Sequence, residues 1–332
     1  MKKTFSALAL LIAVSATAQN AGYSVQKTFH IASNGGWDYI TADPNSNRLY
    51  VSHGTQVNIL DKKTGDSLGV IPGTTGVHGI AIGPVNGYTS NGRINTVTVF
   101  DLKTGNIVTQ VMGTGANPDA IFYEDYSKKV ITCNGRSHNL SIIDPATNTV
   151  VDSVDVGGKP ETAVSDGEGH VFVNVEDKAQ IVCVDTKTWK LTHTWSIAPG
   201  ESPSGLAIDR KTHRLFAGCD NKMMIVLDCE KGTVVAQVPI GDGCDGTGFD
   251  PGLKRAYSTN GQDGTLTVVQ EKDASTFTVL ANVPTKKGAR TIAVDPSTHK
   301  IYSPTADFGE PVAGQRRPPM VPGSFQVLMV GM

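Results

Sequence analysis

The sequence predicts an all-β fold, a seven-bladed β-propeller of four-stranded antiparallel blades, on three observations. A turn of the form Asp-x-x-Thr-Gly recurs at Asp61 to Gly65 and Asp101 to Gly105, with degenerate copies starting at Asp144, Asp185 and Asp228, at spacings of 40, 43, 41 and 43 residues. A second turn runs ahead of it at Asp43-Pro44, Asp125-Tyr126, Asp166-Gly167, Asp209-Arg210, Asp250-Pro251 and Asp295-Pro296, each leading into a short alternating strand such as Arg48 to Ser52, Arg214 to Ala217 or Lys300 to Ser303. Four short strands per repeat of about 42 residues is the pattern of a propeller blade. Thirdly, Gly (36) and Pro (17) are frequent while only 18% of the 332 residues are charged. Glycine at that density is costly to helices, and a formal charge of −2 with 39% hydrophobic residues argues against disorder.

In chain order, the first element is a processing signal. Lys2 and Lys3 are followed by an apolar stretch from Ala7 to Val14 and by Ala16-Thr17-Ala18, a small-residue cleavage pattern. The stretch is too short to cross a bilayer. Residues 1–18 are therefore expected to be a cleaved leader and residues 19–332 a single propeller, periplasmic or secreted, monomeric and without a membrane span. The repeat units start near Gly36, Gly76, Asn117, Lys159, Ser202, Cys244 and Ala289. The last unit stops after its third strand, Ser324 to Val330, so Ser24 to Ile31 is expected to supply the outer strand and close the ring. Blade two has lost its inner turn in Gly83 to Tyr88, which predicts a short first hairpin.

The Asp-Pro-x-x-x-Arg/Lys-hydrophobic-Tyr/Phe-Val strand, followed by Val-Asp-x-x-Thr-Gly-x-Val-Val, resembles the YVTN-repeat proteins, the exported YncE-like seven-bladed propellers. The resemblance covers essentially the whole mature chain and implies a fold. It implies little about activity, because propellers host unrelated functions.

Pseudo-symmetry separates the turns into two faces. The Asp-Pro and Asp-x-x-Thr-Gly turns share one face, where His170, His213 and His299 read as ordinary surface residues. The opposite face carries, at the start of successive innermost strands, Trp37-Asp38, Val77-His78, Pro118-Asp119, Pro160-Glu161, Pro203-Ser204, Cys244-Asp245 and Ala289-Arg290. Four carboxylates and a histidine are thus expected on one ring at the channel mouth. Clustered like charge needs relief by a cation, a proton or a cationic ligand. The turns between second and third strands on this face read Ser52-His53-Gly54, Asn91-Gly92-Arg93, Asn134-Gly135-Arg136, Glu176-Asp177-Lys178, Asp220-Asn221-Lys222, Asn260-Gly261-Gln262-Asp263 and Thr305-Ala306-Asp307. Asn-Gly reads as hairpin chemistry, with both residues tolerating positive φ. The cations Arg93, Arg136, Lys178 and Lys222 suggest an arc around the ring. A long proline-rich loop, Asp307 to Gly323 with Gln315-Arg316-Arg317-Pro318-Pro319, stands on the same rim and reads as a lid or binding loop.

Five cysteines form an odd set without C-x-x-C spacing. Most are expected to be buried small apolar side chains, and Cys219 with Cys244 is the one pairing that the repeat alignment makes plausible as a disulfide.

These residues point to a small polar ligand bound at the channel mouth by Trp37, Asp38, His53, His78, Arg93, Asp119, Arg136, Glu161, Lys178, Lys222, Asp245 and Arg290. Asp38, His78, Asp119 and Glu161 form a contiguous set suited to a divalent metal. The alternatives are a metal-assisted lactonase or esterase on the same ring, with Arg93 or Arg136 holding a substrate carboxylate, and a protein-interaction platform in the cell envelope. No G-x-S-x-G, H-E-x-x-H, EF-hand or P-loop motif occurs. Without the leader, 27 basic side chains face 31 acidic ones, and only 21 residues of the whole sequence are aromatic, which excludes nucleic acid as an expected partner.

Overall fold

A computed structural model describes residues 21–33, 35–312, 314 and 318–332. The expected leader, residues 1–18, lies outside the described residues, as do Gln315, Arg316 and Arg317 of the rim loop. The described chain forms seven four-stranded antiparallel sheets. The innermost strands are Ile40–Ala42, Val77–Ile82, Pro118–Glu124, Pro160–Ser165, Pro203–Asp209, Cys244–Asp250 and Ala293–Asp295. In blades one and seven this strand is only three residues long, so Asp38 and Arg290 stand in the link ahead of it rather than within it.

Burial explains the strand compositions. The middle strands of each blade are covered on both faces by neighbouring blades, so their residues are apolar in succession, as in Gln180–Asp185, where Ile181, Val182, Cys183 and Val184 are all buried. Outer strands such as Lys190–Ser196 are largely exposed and correspondingly polar. The core is therefore distributed between blades. Phe216 of blade five stacks on Phe249 of blade six with ring centroids 5.2 Å apart.

The ring closes as expected. Ser24–His30 pairs antiparallel with Gln326–Gly331 in the sheet that also contains Lys300–Thr305 and Ala293–Asp295. Phe29, 4% exposed, packs near Tyr302 at 6.4 Å between centroids. Gly65 lies directly under it at φ 81°, where a Cβ would fall 2.2 Å from the Phe29 ring. The Asp-x-x-Thr-Gly turn thus does two jobs: its glycine admits Phe29, while Asp61 Oδ1 accepts the amides of Lys63 and Thr64 at 2.8 Å each. Blade two keeps four full strands despite its short first hairpin, which turns through residues 83–85 with Gly83 N donating to Asn86 O.

The Asn-Gly turns fold differently from the expectation. Gly92, Gly135 and Gly261 do not adopt left-handed φ, and that conformation falls instead on Asn95, His138 and Gly264. Asn91, Asn134 and Asn260 are buried ends of their strands. Each amide nitrogen donates to two polar side chains across the hairpin: Asn91 Nδ2 to Thr96 and Thr98, Asn134 Nδ2 to Asn139 and Ser141, Asn260 Nδ2 to Thr265 and Thr267. Asparagine is there as a clamp, and at Gly92 and Gly261 the next blade also approaches closely, with Asn117 Oδ1 2.8 Å and Arg290 Cβ 2.7 Å from where a Cβ would lie.

Candidate functional site

The seven residues that pseudo-symmetry aligned do come together at one mouth of the channel, and six of them form a continuous chain of contacts. Asp119 Oδ1 lies 3.6 Å from His78 Nδ1, which lies 2.6 Å from Asp38 Oδ2. Arg290 Nη2 is 3.3 Å from Asp38 Oδ1, and Arg290 Nε donates to Asp245 Oδ2 at 2.7 Å. Ser204 Oγ completes the series by donating to Asp245 Oδ1 at 2.8 Å. The seventh position, Glu161, turns aside: its Oε2 is 2.9 Å from Lys159 Nζ, which also pairs with Glu176.

Second-strand hydroxyls fix the backbone beneath the ring. Ser90 Oγ donates to the carbonyl of Asp119, Thr259 Oγ1 to that of Arg290, and Ser52 Oγ accepts from the amide of Asp38 at 2.9 Å while donating to the carbonyl of Tyr39. Thr291 Oγ1 adds a bond to the carbonyl of Asp38 at 2.6 Å. Glycines set the spacing: a Cβ on Gly92 would lie 2.6 Å from the His78 ring, and one on Gly261 would lie 2.7 Å from Arg290 Cβ.

The electrostatics follow from crowding in a poorly solvated place. Burial disfavours a charged His78, but the bond to Asp38 and the charges of Asp119, Asp38 and Glu161 outweigh it and raise its pKa to about 9. Burial first, and neighbouring carboxylates second, push Asp119 and Glu161 above the ordinary carboxylate range. Burial and the same ring charges raise Tyr39, whose hydroxyl reaches Thr162 across the channel at 3.4 Å. Asp119 Oδ1 is buried without a hydrogen-bond partner, while the buried Glu161 Oε2 has the Lys159 ammonium at 2.9 Å.

Above the ring opens a basin of about 740 Å³. Its charged walls are Glu176, Asp220, Asp245 and Arg290, and its apolar walls include Trp37, Phe308, Pro318 and Met320. Trp37 sits 6.0 Å from Phe308 and 5.4 Å from Phe325, with the Arg290 guanidinium 5.6 Å from its ring centroid. The rim loop folds back as a wall: Phe308 bridges to Met320, Gly309 N donates to Pro319 O and Val321 N to Asp307 O. Burial, then the charges of Glu176, Asp245 and Asp242, raise the pKa of Asp220.

Four sequence expectations are corrected. His53 is buried among its own neighbours, stacked 4.0 Å from Phe325, with Ser33 Oγ donating to Nδ1 and Nε2 donating to Gly35 O; burial lowers its pKa. The expected cationic arc does not reach the ring. Arg93, Arg136, Lys178 and Lys222 are exposed, and among the described residues only Lys222 of the four forms an ion pair, with Asp242 at 3.0 Å. The cation that does reach is Lys159, which sequence reasoning treated only as the start of a repeat. Cys219 and Cys244 are free thiols buried in different inter-blade clusters, Cys219 with Ile197 and Ile225, Cys244 with Ala207 and Met224. Finally, the contiguous metal-ligating set shrinks to three, because Glu161 is turned to Lys159 while donor atoms of Asp38, His78 and Asp119 lie within 4.8 Å of one another.

With this geometry in hand, solved structures supply comparisons. A chain of Kuenenia stuttgartiensis hydrazine synthase is similar at a TM-score of 0.74 and 15% identity, over 82% of this chain and 94% of that one. The structure of U3-55K is similar at a TM-score of 0.78 and 8% identity, over 91% and 97%. The likeness is one of fold alone. No family model and no curated protein sequence matches the chain.

Proposed function

We propose that this protein is an exported propeller of the YncE-like YVTN type that binds a small, positively charged polar ligand in the basin at the channel mouth. One observation carries the reading: among the described residues the basin lines three carboxylates, Glu176, Asp220 and Asp245, and one cation, Arg290, and with Glu176 paired to Lys159 and Asp245 to Arg290 it leaves Asp220 without an ion pair beside the aromatic wall of Trp37 and Phe308. Carboxylates offer charge and hydrogen-bond acceptors to an ammonium group, and aromatic faces attract the same group through their quadrupole, by about 0.5–2 kcal/mol per contact. Burial raises the pKa of Asp220 first, and the repulsion of Glu176, Asp245 and Asp242 that adds to it supports the same sign of ligand. Export rests on the leader pattern at residues 1–18 and on the family resemblance, and gives a periplasmic or secreted location.

The interaction-platform reading is less favoured, because Phe308, Pro318 and Met320 of the rim loop are used to wall the basin. Arg93 and Arg136, which the hydrolase reading needs for a substrate carboxylate, are exposed and absent from the basin lining. Calorimetric titration of the purified protein with choline and with putrescine, against acetate as an anionic control, tests the proposal. Saturable heats for the cations alone support it, and heats for acetate alone reverse it.

A further inference from the structure

Independently of that ligand, we propose that the ring holds one divalent transition-metal ion on Asp38, His78 and Asp119, contributed by the first three blades. The donor atoms are already gathered: His78 Nδ1 stands 2.6 Å from Asp38 Oδ2 and 3.6 Å from Asp119 Oδ1, and the ion would take the place of the Nδ1 proton now donated to Asp38, releasing it to solvent. Ligands bound at about 2.0–2.2 Å around one ion lie roughly 3 Å apart, and these two separations bracket that value. The independent sign of a missing partner is Asp119. It is 9% exposed, and its Oδ1 is buried without accepting a hydrogen bond while facing the same imidazole nitrogen. A buried carboxylate oxygen without a hydrogen bond is costly, and at 3.6 Å the His78 imidazole does not make one, whereas a bound ion would contact the oxygen directly.

The three side chains hang from a backbone that is fixed before any ion arrives. The carbonyl of Asp38 accepts from Thr291 Oγ1, that of His78 from Tyr39 N at 3.2 Å, and that of Asp119 from Ser90 Oγ. Arg290 Nη2, 3.3 Å from Asp38 Oδ1, orients that carboxylate from outside, the arrangement that fixes ligands in metal sites. One imidazole nitrogen and two carboxylate oxygens suit zinc, manganese or iron(II) better than calcium or magnesium, which prefer oxygen alone. Glu161 is not part of the set, because Lys159 already neutralises it.

The test uses the full mature chain dialysed against a chelator and titrated with zinc, manganese, cobalt(II) and calcium chlorides. Expected are one equivalent of zinc or cobalt bound with micromolar affinity or tighter, a raised Tm, and visible cobalt d–d bands; calcium binds detectably weaker. Asp119→Asn keeps the size of the side chain and is expected to weaken zinc at least roughly 100-fold, the upper end of what loss of an outer-shell partner produces, because Asp119 is a direct ligand. Glu161→Gln is expected to leave zinc affinity within about threefold. Wild-type protein that is folded by circular dichroism yet binds neither zinc nor cobalt overturns the proposal. So does zinc affinity unchanged in both Asp119→Asn and His78→Gln. Choline titrated into the chelated protein reads the basin separately, so the two proposals fail independently.

Discussion

Arg290 Nε donates to Asp245 Oδ2 at 2.7 Å, joining blades six and seven across the channel mouth. The same guanidinium reaches Asp38 in blade one and the carbonyl of Trp37 at 2.9 Å, so a single side chain ties together three consecutive blades around the point where the ring closes. Burial opposes its charge, and the charges of Asp38 and Asp245 outweigh that opposition and raise its pKa further. Arginine suits this place because its planar fork serves two carboxylates and a carbonyl at once.

Replacing it with an uncharged side chain of similar length leaves two half-buried carboxylates facing each other. Arg290→Met is expected to cost about 3 kcal/mol in urea unfolding, the low end for breaking a buried pair because both carboxylates keep some solvent. Arg290→Met/Asp245→Asn is expected to recover part of that loss, as coupled neighbours do. Additive losses in the double variant would show that the two residues do not interact as described.

Closure by the N-terminal strand predicts a second result. Phe29→Ala removes a buried ring from between Tyr302 and Gly65 and is expected to destabilise the domain by about 3–4 kcal/mol. Deleting Ser24 to His30 leaves Gln326–Gly331 as a bare edge and is expected to lower Tm much further. A deletion that melts like the parent would mean that the ring closes without this strand.

Glu271 makes stability depend on pH. It is 1% exposed, with Thr212 Oγ1 donating to Oε1 at 2.7 Å and Oε2 left without a partner. Burial, assisted by the charge of Asp209, raises its pKa from 4.5 to about 7. The folded state therefore holds a proton that the unfolded state releases near 4.5. Its stabilising effect is complete below pH 4.5 and is lost as pH rises to about 7. Glu271→Gln mimics the protonated form, so it should melt about 2–4 °C above wild type at pH 8 and level with it at pH 4.5. A gap that is independent of pH would assign the effect to packing.

Gly92→Ala tests the spacing of the ring. The new Cβ meets the His78 ring at 2.6 Å and Asn117 Oδ1 at 2.8 Å, and overpacking of this kind costs about 1–3 kcal/mol. Gly113→Ala, where a Cβ meets nothing within 4 Å but φ is 81°, controls for backbone strain alone. The spacing argument requires Gly92→Ala to shift the His78 ring resonances in NMR spectra and Gly113→Ala to leave them in place.

The fold was legible because a repeat of about 42 residues writes its turns in the same letters each time, and Asp61, Asp101 and their copies could be aligned by eye. The ring was legible for the same reason: equivalent positions in a symmetric array share a radius. What the sequence hid was which charges meet. Arg93, Arg136 and Lys178 stand in register with the ring, yet they sit past the strand ends and extend into solvent, whereas Lys159, one residue before an innermost strand, reaches inward to Glu161. His53 was misplaced because its role depends on Phe325, Ser33 and Gly35, residues from the closing blade and the link that no local pattern brings together. The Asn-Gly pairs were misread because the same dipeptide serves both a left-handed turn and, as at Asn134, a side-chain clamp at a strand end. The polar Thr or Ser two residues before each such asparagine, at Thr89, Thr132 and Ser258, was the signal for the clamp, since each donates to the asparagine carbonyl oxygen.

The charge and the aromatic wall of the basin make one demand on its ligand. Choline titrated calorimetrically into the folded protein should bind saturably at one equivalent, and Trp37→Ala together with Asp220→Asn should weaken it at least about tenfold, from loss of roughly 1.4 kcal/mol of cation–π and charge attraction. Failure of choline and putrescine to give any saturable heat with folded protein, or equal affinity in the double variant, would contradict it.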